Sequence, residues 1–196
     1  MTALAGRIGP NAIIRVAEAL PGFVGTDQAR SIFQRAGLAD YFRKPPQDMV
    51  DEAEVARLHR ELRASLGASM AGQVAWGAGR RTADYLLAHR IPKPVQALLK
   101  SLPAPLAARV LLKAIAKHAW TFAGTGEFSY VLGPPVVLQI RNNPLCRGTT
   151  SESPACDFYA ATFERLFQVL VQREARVRET ACEACGDDAC RFEIRW

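Results

Sequence analysis

As far as residue 118 the apolar positions recur at helical spacing. Residues 9–20 place Ile13, Val16, Ala17 and Leu20 on one stripe that Pro21-Gly22 stops. Residues 51–66 align Val55, Leu58, Leu62 and Leu66 after an acidic start, Asp51, Glu52 and Glu54, which opposes the positive end of a helix dipole. Gly67 ends that helix, and a second long one is predicted over 69–89, where Gly72, Gly77 and Gly79 lower helix propensity and point to close backbone packing. Pro92 and Pro94 break the chain. After Pro103 and Pro105 an amphipathic helix runs to His118, with Arg109, Lys113 and Lys117 on one stripe and Leu111 and Ile115 on another.

From Trp120 the texture becomes aromatic and β-branched with interspersed glycine, and Phe128 and Tyr130 alternate as in a strand. Residues 136–140 read as a second strand, and Asn142-Asn143-Pro144 as a turn. Ser153-Pro154 then opens a last helix that buries Phe158, Phe163, Leu166, Phe167 and Leu170. Two short strands, 177–182 and 190–196, join through a turn at Gly186. Helices first, then strands around one helix, predict an α+β fold with an antiparallel sheet, in one domain over 1–196.

Composition narrows the class. Apolar residues at 49% and charged residues at 22% suit a globular chain of 196 residues. The uncharged stretch 128–140 is broken by Gly133, Pro134 and Pro135, too short for a bilayer span. The first 20 residues lack the sustained apolar run of a signal peptide. A cytoplasmic protein with reduced or metal-bound cysteines is expected, with peripheral contact at a photosynthetic membrane left open. The net charge of +6 is concentrated: residues 80–117 hold eight bases and one acid, Asp84, a local +7. Such a field attracts anionic small molecules, membrane surfaces, acidic proteins or nucleic acid. Nucleic acid is set aside, because the aromatics interleave with apolar rather than basic residues.

Four of five cysteines fall late, at Cys156, Cys182, Cys185 and Cys190. Cys182 and Cys185 have the two-residue gap of a zinc knuckle, Cys190 opens the returning strand, and Cys156 supplies a third thiolate from the helix start. Either Cys185 or Glu179 completes the set. The competing readings are buried free thiols or a redox pair, although a redox CxxC normally opens a helix after a strand. Cys146 reads as a small apolar packing residue.

These residues resemble the 4-vinyl reductase domain, a small-molecule-binding module distantly related to trafficking subunits of the TRAPP complex. In its aromatic-effector-sensing branch zinc is held by Cys, Glu, Cys and Cys at offsets that Cys156, Glu179, Cys182 and Cys190 reproduce. Cys185 departs from that pattern. The stretches TADYLLAHRIP (82–92), LPAPLAAR (102–109) and HAWTFAG (118–124) are similar to the bacteriochlorophyll-synthesis branch, long named 4-vinyl or 8-vinyl reductases. The resemblance implies structural zinc and a magnesium tetrapyrrole ligand of the divinyl protochlorophyllide or chlorophyllide type. It also implies a role at the vinyl-reduction step, contact with other bacteriochlorophyll-synthesis enzymes, and a homodimer.

Whether the chain itself is an enzyme stays open at this level. Vinyl reduction needs a hydride donor, yet Gly77-Ala-Gly79 lacks the third small residue and preceding strand of a dinucleotide fingerprint. Binding or delivery of the tetrapyrrole is therefore ranked ahead of reduction, with a protein-interaction scaffold as the third reading. For the ligand, Trp120, Phe122, Phe128 and Tyr130 are candidates to line a cavity, Arg109 or Lys113 to meet a carboxylate, and His118 to approach the metal. The blander alternatives are an aromatic core and, for His118, a helix-end partner. His59 and His89 read as surface residues.

Overall fold

The computed structural model describes residues 6–196. A short ribbon, β1 (Arg7–Ile8) with β2 (Val50–Asp51), encloses α1 (Asn11–Ala19), α2 (Pro21–Val24), α3 (Thr26–Arg35) and α4 (Ala39–Arg43). Then come α5 (Glu52–His89), α6 (Lys93–Ser101), α7 (Ala104–Lys117) and the single turn α8 (Trp120–Ala123). The C-terminal part is β3 (Glu127–Val131), β4 (Val136–Arg141), α9 (Asp157–Leu170), β5 (Arg176–Ala181) and β6 (Cys190–Arg195). The four long strands form one antiparallel sheet in the order β3-β4-β6-β5, so the fold is α+β.

The predicted break at Gly67 is present. Gly67 has φ 73° and ψ 166°, a conformation open to glycine, and divides α5 into two helical halves. Asp51 caps the first half by accepting the Ala53 N–H at 2.8 Å. Neighbouring Glu52 is instead buried. It pairs with Arg147 at 2.5 Å and accepts from the Thr125 N–H at 2.8 Å and Oγ1 at 2.6 Å. This clamp pins the Thr125 loop to the start of α5, and it helps explain why Trp120–Ala123 forms a helical turn rather than strand: Gly124, at φ 58°, turns the chain toward Glu52 before β3 begins.

The second half of α5 packs on α9. At Gly79 a Cβ would stand 2.2 Å from the Phe158 carbonyl oxygen, so the close approach requires glycine, and Thr162 Oγ1 donates to the Gly79 carbonyl at 3.0 Å. One face of the sheet is buried through Val136, Leu138 and Ile140 of β4 and Phe192 and Ile194 of β6. The expected burial of Phe158, Phe163, Leu166, Phe167 and Leu170 on α9 is observed.

Two local expectations are corrected. Ser153-Pro154 does not cap α9, which begins at Asp157 with Cys156 at the N-cap position; the free Cys156 N–H is taken by the Glu179 carboxylate at 2.8 Å. His59 is 2% exposed rather than on the surface. Its Nε2 lies 3.3 Å from the Ala12 carbonyl and its ring meets Phe158 edge-on, so burial holds its pKa down to about 3 and the imidazole is neutral.

Candidate functional site

The site is assembled where the sheet register brings distant turns together. Because β4 pairs with β6, Ile140 lies opposite Cys190, and the turn that leaves β4 runs alongside the start of β6. Asn142, at φ 51°, bends this turn. Glu183 fixes it from the other loop, accepting the Asn142 N–H at 2.5 Å and the Asn143 N–H at 2.7 Å. Buried Asn143 then accepts from the Leu145 N–H at 2.9 Å and sends its amide to Cys156 Sγ at 3.2 Å. The result carries Cys146 inward.

Cys146, Cys156, Cys182 and Cys190 are buried, with their sulfur atoms all within 4.8 Å of one another. Cys190 Sγ is 3.6 Å from those of Cys146 and Cys156 and 3.8 Å from that of Cys182; Cys156 and Cys182 are 3.9 Å apart. A tetrahedron with metal–sulfur bonds of about 2.3 Å has sulfur–sulfur edges of about 3.8 Å, so the donor set fits a tetrahedral ion. The Glu183 N–H points to Cys190 Sγ at 3.5 Å, adding to Asn143 a second donor suited to a thiolate.

Electrostatics agrees with a site made for a cation. Hydrogen bonds from Cys146, Cys156 and Cys190 hold the Cys182 thiol well below the ordinary thiol range, while contacts within the same cluster push Cys156 and Cys190 up. Burial, then the charge of Cys182, pushes the Glu179 carboxyl up to about 9. Its Oε2 receives the Cys156 N–H, but its Oε1 is buried with no partner. A cation among these groups removes the like-charge conflict and reverses the shifts.

Two sequence expectations change here. Cys185 stands exposed on the turn after β5 and does not join the cluster, and Cys146, read as packing, does. Only the β4–β6 pairing brings Cys146 to the other thiols, and no local pattern encodes that pairing. Glu179 is beside the cluster, hydrogen-bonded to Cys156 through one oxygen.

The ligand candidates separate. Arg109 and Lys113 lie exposed on the outer stripe of α7, and His118 is exposed at its C-cap with Nδ1 2.9 Å from the Ala114 carbonyl. Trp120 is 58% exposed. Phe122, Phe128 and Tyr130 are half-buried and pack against the core: Phe122 meets Phe128 edge-on at 5.4 Å, and Phe128 lies 6.2 Å from Phe163. Tyr159 donates its hydroxyl to the Phe122 carbonyl at 2.6 Å. The aromatic run thus serves packing.

A cavity of about 730 Å³ opens elsewhere, between α5 and the loop 151–157, with Phe23 and Trp76 as aromatic walls and Arg63 and Asp157 as charged groups. Arg63 also donates to the Ala155 carbonyl and, at 3.1 Å, to that of His59. Burial raises the Asp157 carboxyl above its usual value. Ala155 and Asp157 flank Cys156, so cavity and thiol cluster share one loop. The glycines of α5 were the sequence signal for this region: Gly72 faces Asp157 and Gly77 faces Phe23, which leaves space where side chains would stand.

Residues 136–196 match the 4-vinyl reductase domain. Over 192 residues the chain is 46% identical to the bacteriochlorophyll synthase 23 kDa chain of Cereibacter sphaeroides, covering 98% of this chain and 92% of that protein. Identity to the protein of the same name from Rhodobacter capsulatus is 39% over 190 residues, 96% of this chain and 86% of that one. The fold is shared with the H-NOX protein from K. algicida, TM-score 0.63 at 11% identity, with 96% of each chain covered. With nearly its whole length aligned at such identity and the matched domain spanning its thiol cluster, the chain belongs to the family of the bacteriochlorophyll synthase 23 kDa chains.

Proposed function

We propose that this protein serves bacteriochlorophyll biosynthesis by binding a magnesium tetrapyrrole intermediate of the divinyl protochlorophyllide or chlorophyllide type, at or beside the vinyl-reduction step, and by delivering it rather than reducing it. The names of its relatives supply the pathway. The observation that carries the binding reading is the cavity beside the thiol cluster. Its 730 Å³ lies within the roughly 300–1,000 Å³ of small-molecule sites, and it sets Trp76 and Phe23 against one guanidinium. A flat apolar macrocycle suits the aromatic walls, and its carboxylate tail suits Arg63.

In the same reading Cys146, Cys156, Cys182 and Cys190 hold a structural zinc ion as four thiolates. Zinc there cross-links the turn after β4, the start of α9 and both ends of the β5–β6 hairpin. Four protein ligands leave no open coordination position, which assigns the ion to folding. By ordering the loop 151–157 it also shapes one wall of the cavity.

The test is to mix purified protein with divinyl protochlorophyllide and follow pigment fluorescence, then to add a nicotinamide or flavin reductant and analyse the product. Saturable quenching or a spectral shift with the vinyl group intact is expected. Many turnovers to monovinyl pigment by this chain alone would make it the reductase, and no spectral change would end the pigment reading.

A further inference from the structure

The helical pair α6–α7 is packed on α9 through one side only. Gln96 and Leu99 of α6 and Ala107, Ala108, Leu111 and Leu112 of α7 are the buried positions. The opposite side leaves large apolar groups in solvent: Val95 at 41%, Leu98 at 55%, Leu106 at 51% and Val110 at 45% exposed. On α7 these groups alternate with charge. Leu106, Val110 and Ala114 form one exposed row at i, i+4, i+8, and Arg109, Lys113 and Lys117 form the adjacent row.

No acid occurs between Asp84 and Glu127, a span that also holds Arg90, Lys93 and Lys100. Among the described residues none of these three bases, nor any of the three on α7, takes part in an ion pair. Trp120, the residue type favoured at membrane interfaces, stands exposed just beyond the last basic position.

We propose that the outer face of α6–α7 docks on an anionic lipid bilayer, lying in the interface with Leu98, Leu106 and Val110 below the headgroups and Lys113, Lys117 and Arg109 among the phosphates. Charge complementarity chooses the occupant: an unpaired basic row beside an apolar row is the composition of an interfacial amphipathic helix. A polynucleotide would use the bases and leave the leucines unexplained. No helix among the described residues is long and apolar enough to cross a membrane, so the contact is peripheral.

The experiment is flotation of the full chain with vesicles of phosphatidylglycerol and phosphatidylcholine, against vesicles of phosphatidylcholine alone, without pigment. Binding to the anionic vesicles that weakens with salt is expected. Each basic residue at such a surface contributes roughly fivefold in affinity, so Lys113→Glu with Lys117→Glu should lower it at least about 25-fold. Leu98→Ser with Leu106→Ser, both exposed and therefore tolerated by the fold, should also weaken it, while Arg173→Glu on the loop before β5 should not. Equal binding to both vesicle types, or none to the anionic ones, overturns the proposal. So does charge-sensitive binding of a single-stranded oligonucleotide that competes with the vesicles and ignores the leucine changes.

Discussion

The Sγ of Cys146 lies 3.6 Å from the Sγ of Cys190, because Ile140 and Cys190 are register partners in β4 and β6. This contact turns three clustered thiols into four and leaves exposed Cys185 outside. It also divides the five cysteines into two kinds that can be told apart by experiment.

Cys146→Ser should lower zinc affinity more than about 100-fold, since even changes to groups behind the ligands cost 10- to 100-fold. Structural zinc contributes on the order of 10 kcal/mol to folding, so this variant should also aggregate or melt early. Cys185→Ser should keep one zinc per chain and the parent melting temperature. Metal analysis by mass spectrometry on both purified proteins decides it; iron in place of zinc would keep the site and change its ion.

Glu179 separates the two possible donor sets. With four thiolates present, Glu179→Ala should retain zinc and lose only the acceptor of the Cys156 N–H, at about 1–2 kcal/mol in urea unfolding. Loss of the metal from Glu179→Ala, alongside retention in Cys146→Ser, would instead seat the carboxylate in the coordination shell and return Cys146 to packing.

His59 gives the protein an acid sensitivity unrelated to the metal. Its folded pKa is about 3 because burial opposes the charged ring, against about 6.5 unfolded. Between those values the unfolded chain binds one proton more, so stability falls as pH drops below about 6.5, by up to about 1.4 kcal/mol per unit. His59→Gln keeps a donor for the Ala12 carbonyl and removes the titration. Unfolding curves at pH 7, 6 and 5 should therefore be steeper in pH for the parent than for the variant by that amount. Parallel pH dependences would show that the ring is already protonated in the fold.

What the sequence made legible follows from the range of the interactions involved. The break at Gly67, the Asp51 start, the α9 core positions and the β5–β6 hairpin depend on neighbours within a few residues, and the structure has them. Cys156, Cys182 and Cys190 were legible because a hairpin and a helix start are local. Cys146 was not, since only the register of β4 against β6 carries it there. Trp120 and its following aromatics misled for a related reason: Glu52, far back in the chain, clamps Thr125 and starts the strand only at Glu127. His59 was missed because a lone histidine on a helix reads the same whether its face meets solvent or Phe158.

The position of the pigment is the last point to test, and the structure separates two placements. In the cavity placement the macrocycle lies against Trp76 and Phe23, near Arg63. Removing the indole takes away an apolar wall; at about 25 cal/mol per Å², some 60–100 Å² of lost contact weakens binding by roughly 1.5–2.5 kcal/mol, or about 10- to 70-fold. Trp76→Ala should show that loss. Ser69→Trp, which adds bulk from an exposed rim position without touching the core, should block binding while the melting temperature stays put. Trp120→Ala, at 58% exposure and outside the cavity, should leave pigment affinity unchanged. The alternative places the ligand within Phe122, Phe128 and Tyr130, and it requires the ring contacts at 5.4 and 6.4 Å to open. Fluorescence titration of divinyl protochlorophyllide into the three variants separates them: weakening by Trp120→Ala with normal binding in Ser69→Trp would move the ligand into the aromatic run and leave the cavity without a pigment role.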